Sequence, residues 1–334
     1  MFGLTARWRM NRYVSPDALA RHACREPAAQ PRLLGCQRRS CWPTAAAVPL
    51  HGGVRLGWVL LLLLAGCKVW RPSNDRIWSP DQAVLPYAEI DGRLVTIHNI
   101  RNCKYRSETD YTVDHYDRTF DLDELETVDF IVVPFAEAPQ LAHTMLSFGF
   151  AGKDYLACSV EIRKELGETY SPLKGLLRQY ELMYVLGDER DLVLLRTNHR
   201  LSEVYLYRSR ATPQQARDLL LDVLARVNQL YEQPEFYNAI TNNCTTNIVR
   251  HVNRLAPGRV PYALPVLLPG YSDRYAYDLG LLDTDVSFEE TRARAKINMA
   301  AWLYRDAPDF SVRIREHLEQ RTGPVLARRP SSGE

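Results

Sequence analysis

The 334-residue sequence is 46% hydrophobic and 25% charged, the composition of a globular chain, which excludes a fibrous or low-complexity one. Its net charge of +2 divides unevenly at Cys67: residues 1–66 hold nine Arg, no Lys and two acids, giving +7, and the remainder holds 33 basic and 38 acidic residues, giving −5. The part that folds is mildly acidic, which argues against a nucleic-acid partner.

Residues 1–53 are Arg-rich, contain several prolines and are poorly periodic, so a translation start nearer Val48 or Val54 is expected, a real cytoplasmic extension being the alternative. Arg55 then precedes a leucine run, Leu60 to Leu64, in a stretch shorter than the roughly 20 residues a membrane-spanning helix needs but suited to a signal peptide. It ends in Leu64-Ala65-Gly66-Cys67, the pattern of a bacterial lipobox, in which small residues admit the signal peptidase and the cysteine becomes the lipidated N-terminus. A short buried helix would explain the leucines alone; the order of charge, leucines, small residues and cysteine favours export. Residues 1–66 are therefore set apart as a leader, Cys67 is the expected lipidation site, and the polar stretch 67–90 reads as a tether. Lys68 is not the aspartate that often retains lipoproteins at the inner membrane, which hints only weakly at outer-membrane sorting. Of seven cysteines, Cys103, Cys158 and Cys244 remain in the exported body, an odd number in an oxidising compartment; whether Cys103 and Cys158 pair stays open.

A thiol-enzyme core is expected over 91–256. Arg93 to His98 alternates as a strand, and Asp129 to Phe135 is a second apolar strand. His98, Cys103 and His115 lack the compact spacing of a metal site, so no metal is expected. In the strand Leu141 to Phe150, Thr144, Leu146, Phe148 and Phe150 form a large apolar face, while His143, Met145, Ser147 and Gly149 form a small one that a helix could cover. In the next strand, Leu156 to Arg163, Ser159, Glu161 and Arg163 share a face, so Glu161 can reach His143 if the strands pair, fixing its tautomer; a Glu161–Arg163 or Glu161–Lys ion pair at a rim is the alternative. Leu173 to Leu186 reads as a helical run, Leu192 to Thr197 and Glu203 to Tyr207 as strands, and Thr212-Pro213 as a helix start followed by an apolar stripe to about Tyr231.

The stretch Thr241-Asn242-Asn243-Cys244-Thr245-Thr246 then stands out. Asn243 is a helix N-cap and Cys244 opens the helix, where free N–H groups and the macrodipole favour a thiolate. Cys244, Ile248, Val252 and Leu255 fall on one stripe, which turns the sulfur toward the core; a cysteine that only packs would occupy the same position. Pro257, Pro261, Pro265 and Pro269, with Tyr271, Tyr275 and Tyr277, mark a covering segment over 257–322 that could wall an apolar groove, a packed arm being the plainer reading, with one helix from about Phe288 to Tyr304. Residues 323–334 read as a disordered tail.

The chain resembles the Lnb-type N-terminal periplasmic domain family over roughly residues 93–315. The resemblance rests on Asn99-Ile100-Arg101-Asn102, Ala142-His143-Thr144 with Ser147 to Phe150, Ser159 to Glu165, Asp188 to Asp191, Asn242 to Thr246 and Leu268 to Asp273. It implies an α+β, circularly permuted papain-like (NlpC-like) fold with a mostly antiparallel sheet packed on the catalytic-cysteine helix. It also implies Cys244 as nucleophile and His143 as base; Glu161 as third member follows from the strand pattern. The family's namesake is similar to enzymes that move an acyl chain within a bacterial lipoprotein, from the glycerol ester to the amino terminus.

The expected chemistry is thiol acyl transfer or hydrolysis at an ester or amide, with the Cys244 N–H and an Asn242 or Asn243 side chain holding the oxyanion. Thr245, Ser159, Arg163, Arg101 and Asn102 are the expected positioning and supporting polar residues. His251 lies two helical turns from Cys244, about 10 Å along the axis, too far for direct proton transfer. The expected partners are a lipid or lipoprotein substrate and the membrane through the N-terminal lipid, on a monomer without cofactor. A cysteine amidase of cell-wall peptide and a non-catalytic envelope binding module are the rival classes.

Overall fold

A computed structural model describes residues 71–319; the leader, Cys67 and the tail from 323 lie outside the described residues. The middle layer is a largely antiparallel sheet. Its strands are β1 (Tyr87–Asp91), β2 (Leu94–Arg101), β5 (His115–Asp121), β6 (Leu125–Phe135), β7 (Ala138–Phe150), β8 (Asp154–Arg163), β9 (Glu181–Gly187) and β10 (Tyr205–Arg208), while β3 (Lys104–Tyr105) and β4 (Tyr111–Thr112) form a separate ribbon. The order is β1-β2-β9-β8-β7-β6-β10, with β5 paired to β2. β2 joins β9 in parallel through one pair, Arg101 with Gly187.

Helices cover both faces. On one lie α3 (Pro213–Glu232) and α4 (Cys244–Leu255), whose Leu219, Leu220, Val223, Leu224, Val227, Cys244 and Ile248 pack on Leu146, Phe148, Cys158, Val160 and Leu182. On the other lies α2 (Glu189–Leu194), with the later helices α8 (Asn298–Leu303) and α9 (Phe310–Arg313) bringing Ile297, Ala301, Phe310 and Ile314 against Met145, Ala157, Met183 and Val185. The remaining helices are α1 (Pro172–Leu176), α5 (Leu264–Leu267), α6 (Ser272–Asp278), α7 (Phe288–Ala295) and α10 (Glu316–Glu319). The architecture is α+β.

Local chemistry explains most boundaries. Thr212 accepts from the Gln215 N–H and Gln215 returns a bond to the Thr212 N–H, a capping box that starts α3. The run Leu173 to Leu186, expected as a helix, is instead short α1 followed by β9. Every residue of β9 is buried, and a central strand with helices on both sides reads as a continuous apolar run that periodicity cannot separate from a buried helix. The opposite exchange occurs at Leu192 to Thr197, expected as a strand. Asp188 accepts from the Arg190 N–H and caps α2, which continues into a π-helical turn, Leu195–His199. The helix expected from Phe288 to Tyr304 breaks between α7 and α8, because Lys296 bridges to Tyr205 and Ile297 donates its N–H to Val204.

The described part of the tether, from Arg71, is packed rather than free. Trp78 bridges to Glu165, and Arg163 holds the segment by donating to the Gln82 and Ala83 carbonyls and to Asn74 Oδ1 while stacking on Trp78.

Candidate functional site

Strands β7 and β8 stay paired from Phe150 opposite Asp154 to Met145 opposite Ser159, and their register ends there. Beyond that point β7 continues through Thr144, His143 and Ala142, and the N-terminus of α4 sits against this stretch. Thr245 Oγ1 and Thr144 Oγ1 are hydrogen-bonded at 3.0 Å, and the Cys244 Sγ lies 4.0 Å from the Ala142 carbonyl oxygen and 3.8 Å from Thr245 Oγ1. Both sulfur contacts are long and weak.

The helix start is built by its own sequence. Asn243 accepts from the Thr246 N–H while Thr246 Oγ1 accepts from the Asn243 N–H, a reciprocal capping box. This occupies Asn243: its Nδ2 also donates to the Ala239 carbonyl, and the residue is buried. Asn242 is engaged too, donating to the Phe236 carbonyl and accepting from Asn247 and Arg250. These bonds make both amides part of the turn that presents the cysteine. Helix geometry leaves the first-turn N–H groups of Cys244 and Thr245 outside the helical ladder.

His143 leaves β7 on the Met145 side. Its Nε2 is 2.7 Å from Ser159 Oγ, which donates at 2.7 Å to Glu161 Oε1; Glu161 Oε1 lies 4.0 Å from His143 Nε2. Glu161 thus reaches the imidazole through Ser159. The alternative ion pair to Arg163 does not form; Arg196 binds Glu161 at 2.9 Å instead. Burial, followed by the Arg196 charge, pushes His143 down to about 3, with Glu161 opposing. Burial works against ionised Glu161, but Arg196 and Arg101 hold its carboxyl well below the usual range. The imidazole is therefore neutral at pH 7, with Nε2 committed to Ser159 and Nδ1 the nitrogen left for a proton. So low a basicity means that a thiolate–imidazolium pair is not the resting state.

The small face of β7, expected to receive the cysteine helix, is covered by α2: Ser147 donates to Glu189 Oε1 at 2.5 Å. The cysteine helix packs on the opposite, Leu146 and Phe148 face, because its apolar stripe finds the larger hydrophobic surface there. Cys244 and His143 thus come to the same end of β7 from its two sides, with Ala142 and Thr144 between them.

The other expected residues divide. Arg101 is buried in a bidentate pair with Asp191, both bonds 2.9 Å, and Asp191 also accepts from the Cys103 N–H. Asn102 donates its N–H to Asp114. Arg163 belongs to the packed tether, away from the sulfur. Cys103 and Cys158 are both free and buried, and burial raises each thiol to about 12. His251 has both ring nitrogens engaged, with Asp222 at 2.6 Å and Tyr184 at 2.8 Å.

Sequence reasoning missed Arg196. A charge in the run Leu192-Val193-Leu194-Leu195-Arg196 is the available signal, since a buried arginine requires a carboxylate partner. It also missed Tyr237, which packs against the apolar cluster that holds Cys244. The covering segment packs on α4, and it encloses a cavity of about 310 Å³ whose lining includes Thr245, Ile248, Val252, Val266, Tyr275 and Leu279. Leu255, expected in the buried stripe, is 41% exposed and lies at this cavity.

An α+β domain with a buried thiol opening a helix beside an apolar cavity is the class these elements define. Residues 111–270 match the family model described as the Lnb N-terminal periplasmic domain, a stretch just under half the chain that holds His143, Ser159, Glu161 and Cys244 but not Arg101 or Asn102. The match supports an envelope location. No curated protein and no solved structure matches the chain. Among the described residues, no helix is long and apolar enough to cross a membrane.

Proposed function

We propose that this protein is a membrane-anchored periplasmic thiol acyltransferase or hydrolase of permuted papain-like type, acting on an ester or amide of a lipid, lipoprotein or other envelope substrate. The observation that carries this reading is the setting of Cys244: a thiol on the first turn of α4, next to Thr245, which lines an apolar cavity of about 310 Å³. The Cys244 sulfur attacks the carbonyl carbon, the S–C bond forms, and the C–O or C–N bond breaks. Sulfur and imidazole lie on the two sides of β7 with no hydrogen bond between them, so the thiol proton reaches His143 Nδ1 only if the ring swings round the strand end or a substrate-borne group relays it; it ends on the departing alcohol or amine, and an amine or water then releases the acyl group from the thioester. The N–H groups of Cys244 and Thr245 hold the oxyanion, and Ser159, Glu161 and Arg196 position the imidazole. Lipidation at Cys67 supplies the anchor.

Intact-mass measurement after incubation with a diacylated lipopeptide tests this: an acyl adduct is expected on the parent protein and none on Cys244→Ala. Absence of an adduct, together with lipoprotein mass spectra that do not respond to Cys244→Ala, would overturn it. Release of peptidoglycan fragments would instead select the amidase chemistry on the same residues. The weak basicity of His143 favours one second reading, a binding module in which Cys244 only packs. An alkylation pKa near the free value of about 8.5, unchanged in His143→Ala, would establish that reading.

A further inference from the structure

We infer that the surface around α1 is a lipid-docking face, on which the domain rests against the bilayer that holds its N-terminus. This rests on the anchored reading above. Leu166, Tyr170, Leu173, Leu176, Leu177 and Ile240 are each between 44% and 64% exposed, an unusual density of large apolar side chains for a solvated loop region. They belong to one region: the Ala239 N–H donates to the Gly175 carbonyl and Asn238 Nδ2 donates to the Leu176 carbonyl, which binds α1 to the turn carrying Ile240. Leu166 donates its N–H to the carbonyl of Ile77, itself 75% exposed, so the patch continues onto the segment that enters from the anchor.

Chain length selects the occupant. Cys67 is four residues before Arg71, at most about 14 Å of extended chain. Pro72 shares an open depression with Arg178, Phe236 and Asn242, beside the end of α1. A lipid on Cys67 therefore brings the membrane surface to this side of the domain. Arg178, exposed among the leucines, suits an anionic interface, where apolar side chains enter the acyl boundary and basic ones meet headgroups, while Lys174 is already paired with Glu168 at 3.0 Å. The same region adjoins the start of α4: Ala239, bonded to Gly175, accepts from Asn243 Nδ2 beside Cys244, so docking would direct the thiol end of α4 toward membrane-borne substrate rather than bulk solution.

The test uses the full chain, exported in bacteria and reconstituted into phosphatidylethanolamine–phosphatidylglycerol vesicles. An environment-sensitive fluorophore is placed on Leu173→Cys, Leu177→Cys or Ile240→Cys, and on Met299→Cys, an exposed position on α8 at the opposite face of the sheet. Labelling of the unsubstituted parent is subtracted. A lipid-borne nitroxide should quench the three patch labels several-fold more than the Met299 label. Vesicle flotation without selective quenching overturns the docking face and leaves the anchor intact. Loss of flotation overturns both the anchor and the face. Blue-shifted emission that depends on protein concentration and not on the nitroxide assigns the patch to a second copy of the chain and overturns the proposal.

Discussion

The two faces of the sheet are held by different forces. The α3 and α4 face is an apolar core in which leucines and valines at helical spacing meet Leu146, Phe148 and Val160. The other face adds buried charge to its apolar cluster. Arg315, fully buried, reaches Asp129 at 2.7 Å and Glu189 at 2.5 and 2.8 Å, Arg101 grips Asp191, and Arg196 grips Glu161. Hydrophobic burial is non-directional, so the thiol helix takes its orientation from few bonds, Thr245 to Thr144 and His251 to Tyr184 and Asp222, whereas the charge-assisted bonds of the other face fix orientation throughout. The difference assigns labour within the proposed site: the apolar face presents Cys244 and the cavity, and the charged face holds the imidazole still.

Breaking each face separately tests this division. The largest effect is expected from Cys244→Ala, which should abolish adduct formation with an unchanged urea midpoint. On the charged face, Arg315→Ala leaves buried Glu189 without a cation and Asp129 with Arg208 alone, and should cost about 3–5 kcal/mol, read from denaturant unfolding. Gly270→Ala comes next. An added Cβ would meet the Pro139 and Gln140 backbone at the start of β7, and such overpacking should cost about 1–3 kcal/mol and disturb the residues leading to Ala142.

Acid provides a further test confined to the charged face. Folded His143 lies at about 3 against an ordinary 6.5, so as pH falls the unfolded chain takes up the proton first. Its contribution is present above pH 6.5 and is lost as pH falls toward 3; depressed Glu161 loses its contribution in the same direction, below 4.5. The urea midpoint of the parent should decline from pH 7 to pH 4, and His143→Gln should flatten that decline. The smallest effect is expected from Asn243→Ala, about 1 kcal/mol through loss of the α4 cap. A large turnover defect at unchanged stability would assign the oxyanion role to that amide.

The sequence by itself determined elements whose cause is local. The Thr212 cap of α3, the Asn243 cap and the alternation of β7 and β8 are all set by neighbours a few residues apart, and they read directly. It could not distinguish the buried strand β9 from a helix, or α2 from a strand, because a short apolar run carries no period that burial on both sides does not erase. Only the tertiary structure decided that α4 covers the Leu146 and Phe148 face and α2 the Ser147 face. It also decided that Glu161 acts on His143 through Ser159, and that Arg196, over thirty residues away, completes that chain. Those arrangements depend on which surfaces compete for the same burial and which distant charges must neutralise one another, and neither is encoded within a window of sequence.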